Sequence, residues 1–154
     1  MTSFKDRPWH QRVQPGGMGD EAEGHFRTWA NHANIGYARY GLDRPRIAVH
    51  RLPDHIRYTP DFVCTNQLVE VQGFGRDQTL KVKKTKLNAL VLWNQFHPTS
   101  MFVWDRTNER RFLVTVQQLI VAAHHPDMET HRFPEGHEYY AFPADLLLEI
   151  GTLL

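Results

Sequence analysis

Residues 58–73 have the sequence YTPDFVCTNQLVEVQG. Two short runs of alternating residues flank the pair Thr65-Asn66, and this pattern predicts a β-hairpin with a two-residue loop. In that register Asp61 lies directly opposite Glu70, with their Cβ atoms about 4.5–5.5 Å apart. A register shift of two residues still leaves both acids on one face, because side chains alternate along a strand. The residues of the opposite, apolar face are Phe62, Cys64, Val69 and Val71.

Two carboxylates on adjacent strands repel each other, so their placement favours a counter-charge. Solvated charges on an exposed hairpin are the commoner explanation of such a pair. The alternative is a divalent cation: Mg²⁺ prefers oxygen ligands and keeps several waters, so two carboxylates and one carbonyl leave room for a phosphate oxygen and a water. Such a site is typical of metal-assisted phosphodiester hydrolysis.

The elements predicted around the hairpin form a mixed α and β arrangement. Asp20 is predicted to cap the first helix, which ends near residue 34, and Asp77 is predicted to cap the second, over 78–96. The remaining predicted elements are strands at 46–52, 56–65, 67–73, 100–105 and 111–116 and helices at 117–125 and 143–154. This order predicts one α/β or α+β domain in which helices cover a mixed sheet.

The chain has 154 residues, of which 41% are hydrophobic, and this is the size of one ordinary domain. Its net charge of +1 hides an asymmetry. Residues 1–126 carry 17 basic and 11 acidic side chains, a net charge of +6, whereas residues 127–154 carry 1 and 6, a net charge of −5. We therefore predict an N-terminal arm (1–19), a basic core (20–126) and an acidic C-terminal extension packed on that core (127–154).

Several classes of protein are excluded by composition. The single cysteine, Cys64, excludes a disulfide framework and a Cys-rich zinc site. The ten histidines include no helical His-x3-His pair and have no cysteine partner, so a zinc site is not predicted. No apolar run approaches the roughly 18 residues of a membrane span, and the polar N-terminus does not resemble a signal peptide. We expect a cytoplasmic protein with no membrane partner.

The YTPDF run, the hairpin, the VEVQG run and the lysine-rich segment after them together resemble the PD-(D/E)XK nuclease superfamily, especially its phage junction-resolving and transposase nuclease members. The resemblance covers about residues 20–105. It implies a restriction-endonuclease-like αβββαβ core, with a mixed central sheet flanked by helices, and a Mg²⁺ or Mn²⁺ cofactor. It implies Asp61 and Glu70 as metal ligands, with the Val71 carbonyl as a third.

Gln72 stands where this family usually has lysine, although some members carry glutamine there. An amide can hydrogen-bond the attacking water but supplies no positive charge. On the predicted helix 78–96, Lys84 lies four residues after Leu80 and three before Leu87, which turns it toward the sheet and predicts that it enters the site. The alternative is a lysine that snorkels at the edge of the apolar stripe. Lys81 and Lys86 are predicted to point to solvent.

In this family a glutamate on the first helix commonly contributes to the metal site, which implies this role for Glu23, with Glu21 as its competitor. Both could equally be acids stabilised by the helix dipole. The basic run after the hairpin predicts a track for DNA phosphates, and the alternative is a solvated face. Its residues are Arg76, Lys81, Lys83, Lys84 and Lys86. Lys5, Arg7 and Arg12, with Trp9, are a second predicted clamp.

The function predicted from these features is a metal-dependent DNA endonuclease, a hydrolase of phage or mobile-element origin. A homodimer is expected by analogy with enzymes that cut two strands. One alternative is a catalytically inactive DNA-binding or assembly protein that keeps the nuclease fold. A third hypothesis is a protein-interaction module built on the acidic extension.

Overall fold

The computed structural model describes residues 16–154. Most of the predicted arm, and all of the predicted clamp of Lys5, Arg7, Arg12 and Trp9, lie outside these residues. The helices are α1 (Met18–His32), α2 (Asp54–Arg57), α3 (Lys84–Phe96), α4 (Val116–Ala123) and α5 (Ala144–Ile150), with a 3₁₀ turn at Val49–Arg51. None of the described helices is long and apolar enough to cross a membrane.

The strands form two sheets. They are β1 (Tyr37–Arg39), β2 (Phe62–Cys64), β3 (Leu68–Phe74), β4 (Thr79–Lys83), β5 (Thr99–Asp105), β6 (Arg110–Thr115), β7 (Thr130–Arg132), β8 (Glu138–Pro143) and β9 (Thr152–Leu153). The central sheet has the order β1-β2-β3-β5-β6-β9, in which β3 and β5 are parallel and all other neighbours antiparallel. The second sheet has the order β4-β8-β7. The predicted mixed α+β architecture is confirmed.

Helices cover both faces of the central sheet, and the residues of β5 are therefore buried on both sides. On one face, Phe26 of α1 stacks on Phe62 with the ring centroids 4.6 Å apart and lies edge-on to Phe102 at 5.5 Å. On the other face, Leu90 of α3 packs in a core that includes Met101 of β5. The acids of the β2–β3 hairpin therefore lie on a sheet that is fixed from both sides.

The predicted second helix is wrong at its N-terminal end: residues 79–83 form β4, and the helix begins at Lys84. Leu80 and Val82 are fully buried and alternate with two lysines, which is the period of a strand. The partner of β4 is β8, some sixty residues further along the chain, so local sequence does not reveal the pairing. Asp77 forms an ion pair with Lys81 (2.8 Å) rather than capping a helix.

The chain before the hairpin also differs from the prediction. The expected strand over 46–52 contains only the 3₁₀ turn. The expected strand over 56–65 is reduced to β2, because its first two residues belong to α2 and Pro60 cannot donate to a sheet ladder. The three-residue strand β1 was not predicted and pairs with β2. Helix α1 begins at Met18 with Gly17 at its N-cap, and Asp20 accepts a hydrogen bond from the Gly16 amide (2.7 Å).

The C-terminal half agrees better with the prediction. The strands predicted at 100–105 and 111–116 and the helix predicted at 117–125 lie within two residues of β5, β6 and α4. The predicted last helix is shorter, and β7, β8 and β9 were not predicted. Phe142 of β8 and Leu147 of α5 belong to the same core as Leu80 and Leu90, so the acidic extension contributes residues to the core of the basic part.

Asp105, the last residue of β5, is fully buried and organises the turn before β6. Its carboxylate accepts hydrogen bonds from Gln78 (3.1 Å), Asn108 (2.9 Å) and Arg110 (2.8 Å). Burial raises its pKa, but the three donors outweigh burial and hold the pKa below its ordinary value. We expect Asp105→Asn to lower the free energy of unfolding at pH 7 by about 2–3 kcal/mol, because hydrogen bonds to a charged acceptor are lost.

The dependence of this loss on pH follows from the sign of the shift. A carboxylate with a lowered folded-state pKa contributes its full stability above the ordinary aspartate pKa and loses it as the pH falls through the lower value. Urea unfolding of the wild type and of Asp105→Asn should therefore give free energies that converge in acid. A difference that stays constant down to pH 2 contradicts this account of Asp105.

Candidate active site

The hairpin places Asp61 and Glu70 opposite each other, as predicted. Phe62 pairs with Val69 and Val63 with Leu68, and the same register continues to Asp61 and Glu70. The Cys64 amide donates to the Gln67 carbonyl (2.8 Å), so by alternation Asp61 and Glu70 form a non-hydrogen-bonded pair. Side chains are closest in such pairs, because the Cα atoms are only about 4.5 Å apart.

The two acids are largely withdrawn from solvent. The side chain of Glu70 is 6% exposed and that of Asp61 is 20% exposed. Burial raises the pKa of Asp61 well above its usual value, and the charge of Glu70 raises it further. The Lys86 ammonium group and the Val71 amide, which donates to Asp61 Oδ2 at 2.8 Å, act in the opposite direction. A cation bound between the acids would relieve both costs.

The Val71 carbonyl is suited to be a third oxygen ligand. The next position at which β2 and β3 would exchange backbone hydrogen bonds pairs Pro60 with Val71. Pro60 has no N–H, so the Val71 carbonyl lacks a ladder donor on that side. Among residues 16–154, no three His, Cys, Asp or Glu side chains are gathered closely enough to hold a metal. Two carboxylates and this carbonyl nevertheless fit a hard divalent cation that keeps several waters.

Glu23 reaches the same cleft, whereas Glu21 does not. The guanidinium group of Arg39 donates to both carboxylate oxygens of Glu23 (3.0 and 3.2 Å) and lies 3.5 Å from Asp61 Oδ1. Glu21 instead accepts a hydrogen bond from Trp104 Nε1 (2.8 Å) and pairs with Arg106. Sequence reasoning missed Arg39 because β1 is too short to show a clear strand pattern.

The lysine predicted to enter the site is the wrong one. Lys86 Nζ lies 2.5 Å from Glu70 Oε1, and its side chain is only 21% exposed. Burial lowers the pKa of Lys86, but Glu70, together with smaller effects of Asp61 and Tyr58, outweighs burial and leaves the pKa above its ordinary value. Lys84 points away: its Nζ lies 3.5 Å from Glu138 and 5.4 Å from the Tyr140 ring centroid. Lys86 lies in the first turn of α3, four residues before the buried Leu90. Residues four apart on a helix share a face, so Lys86 points toward the core side of α3.

Gln72, for which the resemblance to the nuclease superfamily would predict a lysine, lines the cleft and is hydrogen-bonded to the neighbouring strand. Its Nε2 donates to the Lys81 carbonyl at 2.7 Å. The amide therefore ties β3 to β4 at the point where the two sheets meet. Its hydrogen bond to Lys81 was not expected, because β4 had been predicted as a helix.

The predicted basic track is divided among a turn, a strand and a helix: Arg76 precedes β4, Lys81 and Lys83 lie on β4, and Lys84 and Lys86 lie on α3. Lys81, Lys83 and Lys86 line the cleft, whereas Lys84 lies outside it and Arg76 is exposed in the turn after β3. The four lysines all have acidic partners, and those of Lys83 and Lys84 come from the acidic extension: Glu135 and Glu138, each at 3.5 Å.

The cleft has a volume of about 840 Å³. The residues that line it are Asp61, Glu70 and Gln72, several residues between 42 and 59, the lysines Lys81, Lys83 and Lys86, and the turn between β7 and β8. A cleft that is lined by paired acids and by several lysines can bind an anion and a cation side by side.

A comparison with solved structures finds a similar fold in the 1.6 Å structure of Archaeoglobus fulgidus Hjc, a Holliday junction resolvase from an archaeal hyperthermophile. The TM-score is 0.54 at 12% sequence identity, and the match covers 86% of this chain and 93% of that chain. No protein-family model and no curated protein sequence matches. The chain therefore has a resolvase-like, restriction-endonuclease-like α+β fold.

Proposed function

We propose that this protein is a divalent-metal-dependent DNA endonuclease of the PD-(D/E)XK superfamily. The observation that carries the proposal is the facing pair of Asp61, which is half-buried, and Glu70, which is buried, with Lys86 in contact with Glu70. Burying two like charges side by side costs stability, and a catalytic cation explains why the fold accepts this cost. The similarity of the fold to a Holliday junction resolvase supports the same conclusion.

The proposed ligands of Mg²⁺ or Mn²⁺ are Asp61, Glu70 and the Val71 carbonyl. When bound, the ion polarises the phosphate and lowers the pKa of a water that attacks phosphorus. Lys86, in place of Lys84, supplies the positive charge that Gln72 lacks and stabilises the charge that develops on the phosphate. Glu23 acts as a positioning residue, because it holds Arg39 beside Asp61.

DNA is the proposed partner, and its phosphates would contact the lysines along the cleft. Lys81, Lys83 and Lys86 are placed to bind the strand at the site, and Arg76 and Lys84 can contact it only further out. A homodimer in which each copy cuts one strand remains part of the proposal by analogy. A phage or mobile-element origin, with action in the host cytoplasm, also belongs to it.

The direct test is to incubate the protein with a four-way junction, a flap, a nicked duplex, an intact duplex and a single strand. Each DNA is combined with Mg²⁺, Mn²⁺ or EDTA. Cleavage of at least one DNA with metal, and none in EDTA, supports the proposal. If every DNA stays intact with both metals, the proposal is wrong. Tight binding without cleavage would favour the inactive DNA-binding protein, in which Gln72 serves only to bind the Lys81 carbonyl.

The acidic extension should weaken DNA binding, because Glu135 and Glu138 form ion pairs with the ammonium groups of Lys83 and Lys84. We expect the double variant Glu135→Gln/Glu138→Gln to bind DNA about three to ten times more tightly at 0.1 M salt, since phosphates no longer compete with these carboxylates. Fluorescence anisotropy with a labelled oligonucleotide measures the change.

The matched control is Asp145→Asn/Glu149→Gln, which removes the same number of charges from α5, away from the cleft. A similar gain in both double variants would mean that net charge alone determines the affinity. The local competition proposed for Glu135 and Glu138 would then be wrong.

A further inference from the structure

Arg57, the last residue of α2, lies in the wall of the cleft, four residues before Asp61. Its side chain is only 17% exposed, and its guanidinium group lies 4.8 Å from the centroid of the Tyr58 ring. Lys86 Nζ lies 5.9 Å from the same ring. The Tyr58 ring is therefore a shared contact of two cations, one of which already contacts Glu70. Arg57 has no part in the chemistry proposed above.

The hydrogen bonds of Arg57 are incomplete. Buried N–H groups nearly always have an acceptor, yet Arg57 Nε is buried without one in the described structure. Its Nη2 pairs with Asp54, whose side chain is 49% exposed, and such surface ion pairs are weak. Turning the guanidinium group into the cleft would trade this weak pair for a better acceptor and would free Nε to donate.

A phosphate is the acceptor that best matches this position. Asp61 and Glu70 line the cleft, so an anion bound beside them needs cations among the other lining residues. A guanidinium group donates two parallel hydrogen bonds to phosphate oxygens, which a lysine cannot do. We propose that Arg57 binds a DNA backbone phosphate beside Asp61 and Glu70. The inference rests on the proposed function and adds a residue to its substrate site.

The experiment compares Arg57→Gln and Arg57→Lys with Arg111→Gln. Arg111 is the matched control, because its Nε is also buried without an acceptor but it lies on β6, outside the cleft. Thermal melts establish that each variant folds. Anisotropy measures the Kd for a labelled DNA between 50 and 200 mM salt in EDTA, and single-turnover assays measure cleavage with Mg²⁺.

We expect Arg57→Gln to raise the Kd about five- to thirtyfold and to reduce the slope of log K against log salt by about 1, since one phosphate contact is lost. Arg57→Lys should keep the salt slope but still cleave about tenfold more slowly, because the forked geometry is gone. Arg111→Gln should stay within twofold of the wild type in both assays.

The measurements of DNA binding test the role of Arg57 even if the wild type does not cleave DNA. A wild type that binds DNA without cleaving it refutes the endonuclease, while the Kd and salt slope of Arg57→Gln still test the phosphate contact. If Arg57→Gln matches Arg111→Gln in Kd and slope, or if the wild type binds no DNA, the proposal for Arg57 is overturned.

Discussion

Replacement of Asp61 by asparagine is expected to abolish DNA cleavage and, at the same time, to stabilise the metal-free protein. The rate should fall by at least about 10³-fold, because the neutral amide is a poor ligand for a hard cation and leaves the phosphate unpolarised. The melting temperature without metal should rise by about 2–5 °C, since a buried charge facing Glu70 is removed. Asparagine can still accept the hydrogen bond from the Val71 amide.

The effect of metal on the melting temperature distinguishes the loss of a metal ligand in Asp61→Asn from a mere change in packing. Millimolar Mg²⁺ or Mn²⁺ should raise the melting temperature of the wild type, because an ion that binds only the folded state stabilises it. Asp61→Asn should lose this increase. Glu21→Gln is the matched control: it removes a carboxylate of α1 that contacts Trp104 and Arg106 outside the cleft. It should cleave DNA and respond to metal like the wild type.

Two results would contradict the role of Asp61. Cleavage undiminished in Asp61→Asn would exclude it as a metal ligand. A metal-induced increase in melting temperature that persists in Asp61→Asn would locate the cation elsewhere. A lower melting temperature of the metal-free variant would mean that Asp61 contributes more through its hydrogen bonds than it costs through repulsion.

The placement of the two acids was predictable because it depends on local sequence. Thr65-Asn66 sets the loop, the loop sets the register, and the alternation of Phe62 and Val69 with their polar neighbours fixes the buried face. Glu23 was predictable only as one of two candidates. Helical spacing alone does not show that Trp104 binds Glu21, nor that Arg39 draws Glu23 toward Asp61.

The lysines were mispredicted because their directions depend on a non-local pairing. Leu80 and Leu87 fit a helical stripe, so residues 78–96 were predicted as one helix. The alternation of Leu80 and Val82 with lysines also fits a strand, and the pairing with β8 decides between the two. Because residues 79–83 form a strand, the helix begins only at Lys84. The directions of the side chains around its axis therefore differ from those of the predicted helix, and Lys86, not Lys84, faces the cleft.

Lys86 and Lys84 therefore offer a sharp comparison. We expect Lys86→Met to slow cleavage about 10²- to 10³-fold with a smaller change in Kd, because the ammonium group acts mainly on charge that develops during the reaction. Lys84→Met should cleave within about threefold of the wild type, since its partners are Glu138 and Tyr140. Single-turnover rates and anisotropy measure the two effects separately.

Stability must be followed in the same variants, because Lys86→Met leaves Glu70 buried without its partner. Without metal this should cost about 3–5 kcal/mol of unfolding free energy, and bound Mg²⁺ should restore part of it. Assays in saturating Mg²⁺ at low temperature therefore compare folded proteins. Equal rates in the two lysine variants, or a larger loss in Lys84→Met, would show that Lys86 is only a structural counter-charge.

The most specific test places a lysine at position 72, where the nuclease superfamily that the sequence resembles usually has one. Gln72 lies beside Glu70 and Val71 on β3, so a lysine at position 72 would bring an ammonium group to the same cleft from the strand instead of the helix. In the Lys86→Met background, Gln72→Lys should recover cleavage by at least about tenfold, despite the lost hydrogen bond to the Lys81 carbonyl. Gln72→Met in that background should recover nothing, because it loses the same hydrogen bond without adding charge. Rescue by lysine alone would show that Lys86 supplies the positive charge that Gln72 lacks, whereas failure of both variants would mean that Lys86 acts through Glu70.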